Sequence, residues 1–268
     1  VEPIASIVMA AGRGSRMKGF EGNKTLLPLG PLTSPYQGTH PMLLHILESL
    51  PPGPKALVVN YAKDAVMEAT RSLDLTYIEQ PVLNGTGGAL LAAASFIESL
   101  QAGRVIITMG DVPLVRRETY LGLTGMLSTH AFAVLGFRPR DKRQYGALDI
   151  QREKVKRIIE WKYWRALSED RQSLLDVFNS GIYASRREEL LTYIPVLRSR
   201  PHKVFKERNG KTVELEEFFL TDLVEYMVED GLSVGFAVAR DEEEVMGVDD
   251  MDSLTRAQEA HRRRYIEH

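Results

Sequence analysis

Short apolar runs alternate along the chain with stretches in which apolar residues return every third or fourth position. The runs at 5–9, 56–59, 75–78, 105–109, 131–137, 181–184 and 234–238 predict strands. Several are apolar almost throughout, as strands covered on both faces are. Helical periodicity lies at 42–50, 88–100, 119–128, 220–229 and 251–266, and the 88–100 stretch is rich in Ala and Leu and should pack tightly on a sheet. Strands alternating with helices predict an α/β layer fold with a largely parallel sheet. "PPGP" at 51–54 reads as a helix stop before a strand. No internal repeat, low-complexity tract or flexible linker interrupts the pattern, so one domain over 1–268, ending in a helix at 251–268, is the simplest organisation. Residues 198–211 read as a basic, turn-rich surface excursion with no assigned role. Arg256, Arg262, Arg263 and Arg264 give the last helix a solvated face or an oligomer contact.

At 268 residues, 44% hydrophobic and 26% charged, the composition is that of a globular protein. A formal net charge of −2 supplies no general attraction to nucleic acid or anionic membrane, so any anion site must be local. No apolar stretch approaches the roughly 18–20 residues of a membrane span, and the first strand begins too early to leave room for a signal peptide. Cysteine is absent, which removes disulfides, thiolate nucleophiles and Cys-based zinc sites and is compatible with a cytoplasmic location. No histidine-based catalytic constellation is evident.

The candidate chemistry begins after the first strand, in "MAAGRGSRMKGFEGNKTL" (9–26). Gly12-Arg13-Gly14 would open a dinucleotide fingerprint, but Met17 stands where its third glycine belongs. Gly14 and Gly19 have the Walker spacing, but Phe20-Glu21 follow. Glycine-rich turns still form anion-binding nests. Four cations, Arg13, Arg16, Lys18 and Lys24, suit a triphosphate whose charge must be neutralised while it reacts, although a structural turn with surface cations remains the alternative.

Other polar points fall where α/β sheets bind ligands, just past strand ends. Asp111 in "TMGDVPLV" is placed to hold Mg²⁺ or to cap a turn. Asp249 or Asp250 in "MGVDDMDSL" would complete a split metal site, while Asp250 or Asp252 would cap the last helix. Gln80 in "EQPVLNGTGGAL" offers a donor and an acceptor to a nucleobase edge, and Gly85 with Thr86 admits close backbone approach to a planar ligand. Tyr145-Gly146, Glu160, Asn179 and Ser180 make a reasonable set for sugar hydroxyls, though each alone reads equally as structural.

Taken in order, these segments resemble the sugar-1-phosphate nucleotidyltransferase family, and most closely its N-acetylglucosamine-1-phosphate uridylyltransferase domains. The family's LAAGxGTRM loop and PKxL element are answered by "MAAGRGSRM" and "NKTL". Its glutamine ahead of Gly-Thr is matched by Gln80 and Gly85-Thr86, and GDVPL stands unchanged at 110–114. Tyr-Gly, V-E-x-K, N-x-G-I, EYYLTD and G-V-N-N correspond to Tyr145-Gly146, "IIEWK", "NSGIY", "EFFLTD" (217–222) and "GVDD". The resemblance covers nearly the whole chain. It implies a Rossmann-like mixed sheet with helices on both faces, a nucleoside triphosphate (UTP) and a sugar 1-phosphate (N-acetylglucosamine 1-phosphate) as partners, and Mg²⁺ as cofactor.

By the same resemblance Ala10, Ala11, Gly12 and Gly14 contact the nucleotide, Gln80, Gly85 and Thr86 read the base, and Arg16 and Lys24 face the phosphates. Asp111 and Asp249 hold Mg²⁺, and Gly146, Glu160, Asn179 and Ser180 contact the sugar phosphate. Three positions depart from the family. Ser15 replaces Thr and keeps the hydroxyl, Asn23 replaces the Pro before the lysine, and Asp249 replaces Asn with a carboxylate, as in related cytidylyltransferases. No hexapeptide repeats of a β-helix acetyltransferase domain are present. A metal-dependent glycosyltransferase would ordinarily show D-x-D, whereas Asp111 is followed by Val112-Pro113. A non-catalytic nucleotide-sugar sensor could dispense with Lys24 and the acidic pair.

Overall fold

In the computed structural model of the protein, which describes residues 2–12, 14, 16–17, 20–142, 144–208 and 211–265, the first apolar run forms β1 (Ile4–Met9). The chain continues through a 3-10 turn at Lys24–Leu26, β2 (Pro28–Ser34), β3 (Gln37–Pro41), α1 (Met42–Ser49), β4 (Lys55–Val59), α2 (Lys63–Ala69) and β5 (Thr76–Glu79). It then forms α3 (Thr86–Ala92), α4 (Ala94–Ser99), β6 (Arg104–Met109), α5 (Arg117–Gly125) and β7 (Phe132–Phe137). Next come β8 (Ala147–Gln151), β9 (Lys154–Ile159), the short helices α6 (Trp161–Trp164) and α7 (Glu169–Ser173), β10 (Phe178–Arg186) and α8 (Arg187–Ser199). The last elements are β11 (His202–Arg208), β12 (Lys211–Glu217), α9 (Asp222–Glu229), β13 (Val234–Val238) and α10 (Met251–Tyr265).

The main sheet runs in the order β13-β7-β10-β6-β1-β4-β5, with β8 beside β10 and β9 beside β8. β5, β4, β1 and β6 are mutually parallel, as are β7 and β13, and β10 runs against both of its neighbours. This is the mixed, mostly parallel sheet that the alternation predicts. Side chains alternate across β1 with period two. Ala5 and Ile7 pack with Leu90, Ile97, Leu190 and Leu223 from α3, α4, α8 and α9. Ile4 and Val8 pack on the other face with Leu43 and Ile46 of α1 and Tyr120 and Leu123 of α5.

Every strand predicted from an apolar run is present. The added ones have weaker patterns. Pro28, Pro31 and Pro41 lie in β2 and β3, where proline supplies no ladder donor. Two of that hairpin's carbonyls, Pro28 O and Pro35 O, instead accept from the Gln258 amide of α10 at 2.9 and 2.8 Å. The β8–β9 turn places Arg152 (φ 51°) and Glu153 (φ 60°) in the left-handed region without the Asn-Gly that usually marks such a turn. Where a turn-rich surface excursion is expected at 198–211, the described residues form the end of α8 and β11, which pairs with β12 outside the main sheet and in which Lys203 pairs with Glu214 at 2.9 Å. Residues 209 and 210 lie outside the described residues. Pro195 inside α8 hides that helix from pattern reading, and the predicted 88–100 helix divides at Ala93.

α10 ends its description at Tyr265, so the predicted helix end at 266 lies outside the described residues. Its buried face, Leu254, Ala257 and Ala260, packs with Leu27, Leu29 and Val248. Arg263 pairs with Glu243 at 2.8 Å, and Arg264 pairs with Asp241 at 2.8 Å. For these two arginines the expected solvated face or oligomer contact is an intramolecular tie. No helix among the described residues is long and apolar enough to cross a membrane.

Candidate active site

β1 lies between β4 and β6, and the chain goes to β4 and β5 on one side before returning to β6 on the other. The carboxyl ends of β1 and β6 therefore meet at the point where strand order reverses, the general ligand position of open α/β sheets. Met9 is in register with both Val58 and Met109. A cleft of about 550 Å³ opens there. Its wall includes Ala10, Ala11, Gly12, Gly14, Arg16, Lys24, Gln80, Gly85, Thr86, Asp111 and Asp249, so the predicted nucleotide, phosphate and metal residues are brought together. The predicted loop residues Arg13, Ser15 and Lys18, and Gly19 of the Walker comparison, lie outside the described residues.

Lys24 is buried, and its Nζ lies 2.6 Å from Asp111 Oδ2 and 2.7 Å from Asp249 Oδ1. Burial alone would lower its pKa, but Asp111 and Asp249 outweigh that effect and hold it above the ordinary lysine value. Gly14, at φ 60°, lets the stem of Lys24 pass close by, since a Cβ there would lie 3.1 Å from the lysine Cβ and Cδ. Arg16 NH1 stands 3.7 Å from Asp249 Oδ2 with its side chain largely in solvent.

The position of Lys24 is set by Asn23, the residue that stands in place of the family's proline. Asn23 is 1% exposed. Its Oδ1 accepts from the Thr25 amide at 3.0 Å and from Thr25 Oγ1 at 2.8 Å, capping the Lys24–Leu26 turn. Its Nδ2 donates to Ala10 O at 3.2 Å and Tyr61 O at 3.0 Å. Proline could make none of these side-chain bonds, so the departure fixes the lysine rather than displacing it.

The loops carrying the two carboxylates are joined by the Val248 amide, which donates to Asp111 O at 2.8 Å. Asp250 is the helix cap, its Oδ1 accepting from the Ser253 amide at 2.8 Å, while Ser253 Oγ accepts from the Asp249 amide at 3.0 Å. This leaves the Asp249 carboxylate directed at Lys24. Two carboxylate oxygens within 2.7 Å of one cationic centre make a hard oxygen donor set that fits Mg²⁺. Such an ion and the Lys24 ammonium address the same oxygens.

Gln80 is buried, with both Nε2 hydrogens engaged, to Asn84 Oδ1 at 3.1 Å and Gly85 O at 3.2 Å. The Gly85 carbonyl can only accept, which fixes the amide orientation. Gln80 thus offers its Oε1 acceptor to a ligand, not the donor and acceptor together. Gly85 has φ 94°, and a Cβ there would lie 2.3 Å from Phe218 O. The close approach expected at this glycine is made by the protein's own 218–220 segment, whose Leu220 amide donates to Thr86 Oγ1 at 3.1 Å.

The predicted sugar residues do not line this cleft. Glu160 lies on the wall of a separate cavity of about 1180 Å³, whose lining also takes in Phe219, Thr221 and Asp222 just past Glu217 of the cleft wall. Gly146 is beside Glu160, since a Cβ there would stand 3.8 Å from both of its carboxylate oxygens, and Gly146 O accepts from the Asn179 amide at 2.8 Å. Asn179 and Ser180 spend their side chains on the irregular start of β10. Asn179 bonds the Tyr183 hydroxyl at 2.8 Å and the Gly181 amide at 3.0 Å, and Ser180 Oγ donates to Leu135 O at 2.6 Å. Partial desolvation raises the Glu160 carboxyl above the usual glutamate range although the residue stays exposed; the Thr221 hydrogen bond opposes the shift and like-charge repulsion from Asp222 adds to it.

Sequence reasoning missed Glu217, a buried carboxylate on the cleft wall at the end of β12, and Thr25, Leu83 and Ala89 beside it. Glu217 opens the "EFFLTD" segment quoted above, so the signal was present. Thr25 follows Lys24 directly.

A model of the family described as MobA-like NTP transferase domain matches residues 6–191. The chain is 31% identical over 260 residues to "Bifunctional protein GlmU" of Cereibacter sphaeroides, covering 95% of this chain and 51% of that protein. It is 29% identical over 258 residues to the protein of the same name from Ruegeria pomeroyi, covering 94% and 51%. The chain therefore spans about half the length of the curated relatives it matches. Among solved structures it resembles a uridine diphosphate N-acetylglucosamine pyrophosphorylase from Trypanosoma brucei, with TM-score 0.74 and 13% identity over 96% of this chain and 64% of that one. It also resembles a putative glucose-1-phosphate thymidylyltransferase from Bacillus anthracis, with TM-score 0.66 and 20% identity over 97% and 95%. At these identities the structural likenesses establish the nucleotidyltransferase fold.

Proposed function

The chain belongs to the MobA-like NTP transferase domain family, and from that membership we propose that it transfers the nucleotidyl group of UTP to N-acetylglucosamine 1-phosphate, releasing pyrophosphate. The observation that carries this reading is the convergence of Lys24, Asp111 and Asp249 at the carboxyl ends of β1 and β6, in the cleft that the glycine-rich loop borders. A phosphate oxygen of the sugar phosphate attacks the α-phosphorus, and the bond from that phosphorus to the bridging oxygen of pyrophosphate breaks. The nucleophile needs no base, because a phosphate monoester with a second pKa near 6 is largely a dianion at pH 7.

Lys24 and Arg16 neutralise charge that moves toward pyrophosphate, and the backbone of Ala10, Ala11, Gly12 and Gly14 positions the nucleotide. Asp111 and Asp249 would hold Mg²⁺, which when bound supplies further neutralisation of the phosphate oxygens. Gln80 Oε1 suits a base edge that presents N–H, as uracil N3 does. Glu160 and Gly146 would receive sugar hydroxyls from the cavity that Glu160 lines.

The test is a pyrophosphate-release screen of the four NTPs against a panel of sugar 1-phosphates with Mg²⁺. Turnover with UTP and N-acetylglucosamine 1-phosphate is the expected result. Preference for another pair would replace the substrates and keep the reaction. A folded protein that turns over no pair, or that makes a glycoside from a nucleotide sugar, would overturn the reaction itself.

A further inference from the structure

Away from the cleft, three imidazoles from distant parts of the chain meet. His40 closes β3, His45 lies in α1 and His261 lies in α10. One ring nitrogen of each lies within 4.8 Å of those of the other two, and no other group of three metal-capable side chains occurs among the described residues. His45 and His261 are each 6% exposed. His45 Nε2 and His261 Nδ1 are buried with no hydrogen-bond partner. Leaving such atoms unsatisfied costs roughly 1–3 kcal/mol each, so a packed aromatic cluster does not by itself account for the choice of histidine. His40 also sits at φ 62°, a conformation costly for a residue with a side chain. In that conformation its Nε2 lies 2.8 Å from His45 Nδ1.

We propose that His40, His45 and His261 form a site for a divalent transition metal of the zinc type, tying α10 to β3 and α1. Imidazole nitrogen is a preferred ligand of such ions. Zinc–nitrogen distances of about 2.0–2.1 Å in tetrahedral geometry separate ligand nitrogens by roughly 3.4 Å. Binding would have to open the 2.8 Å pair, His40 Nε2 and His45 Nδ1, and draw in the wider ones, all of which lie within 4.8 Å. Glu48 Oε2, 3.7 Å from His40 Nε2, is a neighbouring carboxylate that could supply a fourth ligand directly or through a water. Arg264, whose charge bears on His45, is neutralised by Asp241 at 2.8 Å. The site would clamp the far end of the helix that begins beside Asp249.

The experiment uses the full chain, stripped with chelator, given an equivalent of Zn²⁺ and desalted before metal analysis. About one zinc per chain should be retained, with a rise of several degrees in the unfolding midpoint, the linkage effect of a ligand that binds only the folded state. Co²⁺ in its place should give the visible absorption of a four-coordinate nitrogen site. His45→Gln and His261→Gln, checked for folding by circular dichroism, should each weaken zinc binding at least tenfold. Asp111→Asn and His202→Gln should retain it, separating this site from the cleft and from other histidines. Bound zinc should also protect histidines of the unaltered protein from diethylpyrocarbonate, a readout independent of any variant. Failure of the unaltered protein to retain zinc, or zinc retention in both histidine variants equal to that of the unaltered protein, would overturn the proposal.

Discussion

Lys24 and Asp249 are 225 residues apart in sequence, yet the lysine Nζ donates to Asp249 Oδ1 at 2.7 Å. Asp111 pairs with the same ammonium at 2.6 Å. The lysine thus occupies the oxygens that the proposed magnesium ion would use, and binding of that ion would require it to release at least one of them. Lys24→Met should lower kcat by at least about 10²-fold, the scale of losing a preorganised electrostatic group, while Mg²⁺ binds the nucleotide-free protein more tightly. Isothermal titration of Mg²⁺ alongside single-turnover kinetics measures both. Weaker or unchanged ion binding in the variant would show that lysine and metal do not compete.

Asp249→Asn restores the residue of the resembling family. An amide oxygen still ligates Mg²⁺ but without charge. Activity should survive, with the Mg²⁺ concentration for half-maximal rate rising several-fold. Asp111→Asn should be more damaging, because Asp111 is the less exposed of the pair and its carboxylate sits closest to Lys24 Nζ. Equal tolerance of both changes would remove Asp111 from the metal set.

Asn23→Ala deletes the cap of the Lys24–Leu26 turn and unties the loop from Ala10 and Tyr61. Losing buried hydrogen bonds and leaving their partners unsatisfied should cost about 1–3 kcal/mol, read from urea unfolding. Because Asn23 holds Lys24 in register without touching substrate, kcat should fall as well. Added Mg²⁺ should not restore it. A variant as active as the unaltered protein would make Asn23 a structural residue only.

How much of this was legible in the sequence follows from where information sits along the chain. Strands buried on both faces announce themselves by composition, so β1, β6 and β7 were readable from Ile, Val and Leu alone. The hairpins β2–β3 and β8–β9 were not, because proline and the left-handed pair Arg152-Glu153 conceal strands that tertiary contacts hold in place. Motif order assembled the cleft, since Gly14, Gln80 and Asp111 each follow a strand at its carboxyl end. It could not say that Gln80 spends its donors on Asn84 and Gly85, or that Asn179 and Ser180 spend their side chains on β10. The histidine cluster gave no local signal at all, since His261 is brought to His40 and His45 only by the packing of α10.

Glu244 is fully buried, and its carboxylate accepts from the Arg116 amide at 3.1 Å and from Arg116 NH1 at 3.0 Å. Thr119 donates to it as well. This group anchors the start of α5 to the turn at Glu242–Val245 just ahead of the Asp249 loop. Glu244→Ala leaves the part-buried Arg116 amide and Thr119 hydroxyl without their acceptor while the Arg116 guanidinium keeps Asp241 at 3.1 Å, so it should destabilise the protein by about 1–3 kcal/mol. A thermal or urea midpoint within error of the unaltered protein would contradict this account of the network.

Glu160 gives the last prediction, because its pKa and its proposed role pull in different directions. Its carboxyl is raised above the unfolded value, chiefly by partial desolvation and further by Asp222. A raised pKa means that the folded protein holds the proton more strongly. Stability is therefore greatest below the unfolded value near 4.5 and declines as pH rises through the folded value. Because part of the side chain remains in solvent, screening should keep this below about 1 kcal/mol. Glu160→Gln cannot ionise, so its urea midpoint should fall less between pH 4 and pH 7 than that of the unaltered protein. If the carboxylate also receives a sugar hydroxyl, the same variant should raise KM for the sugar 1-phosphate about tenfold while leaving KM for the NTP unchanged. An equal rise in both constants would place Glu160 in the nucleotide cleft or in general folding. A changed pH profile without any change in KM would leave the sugar site to be sought elsewhere in the cavity that Glu160 lines.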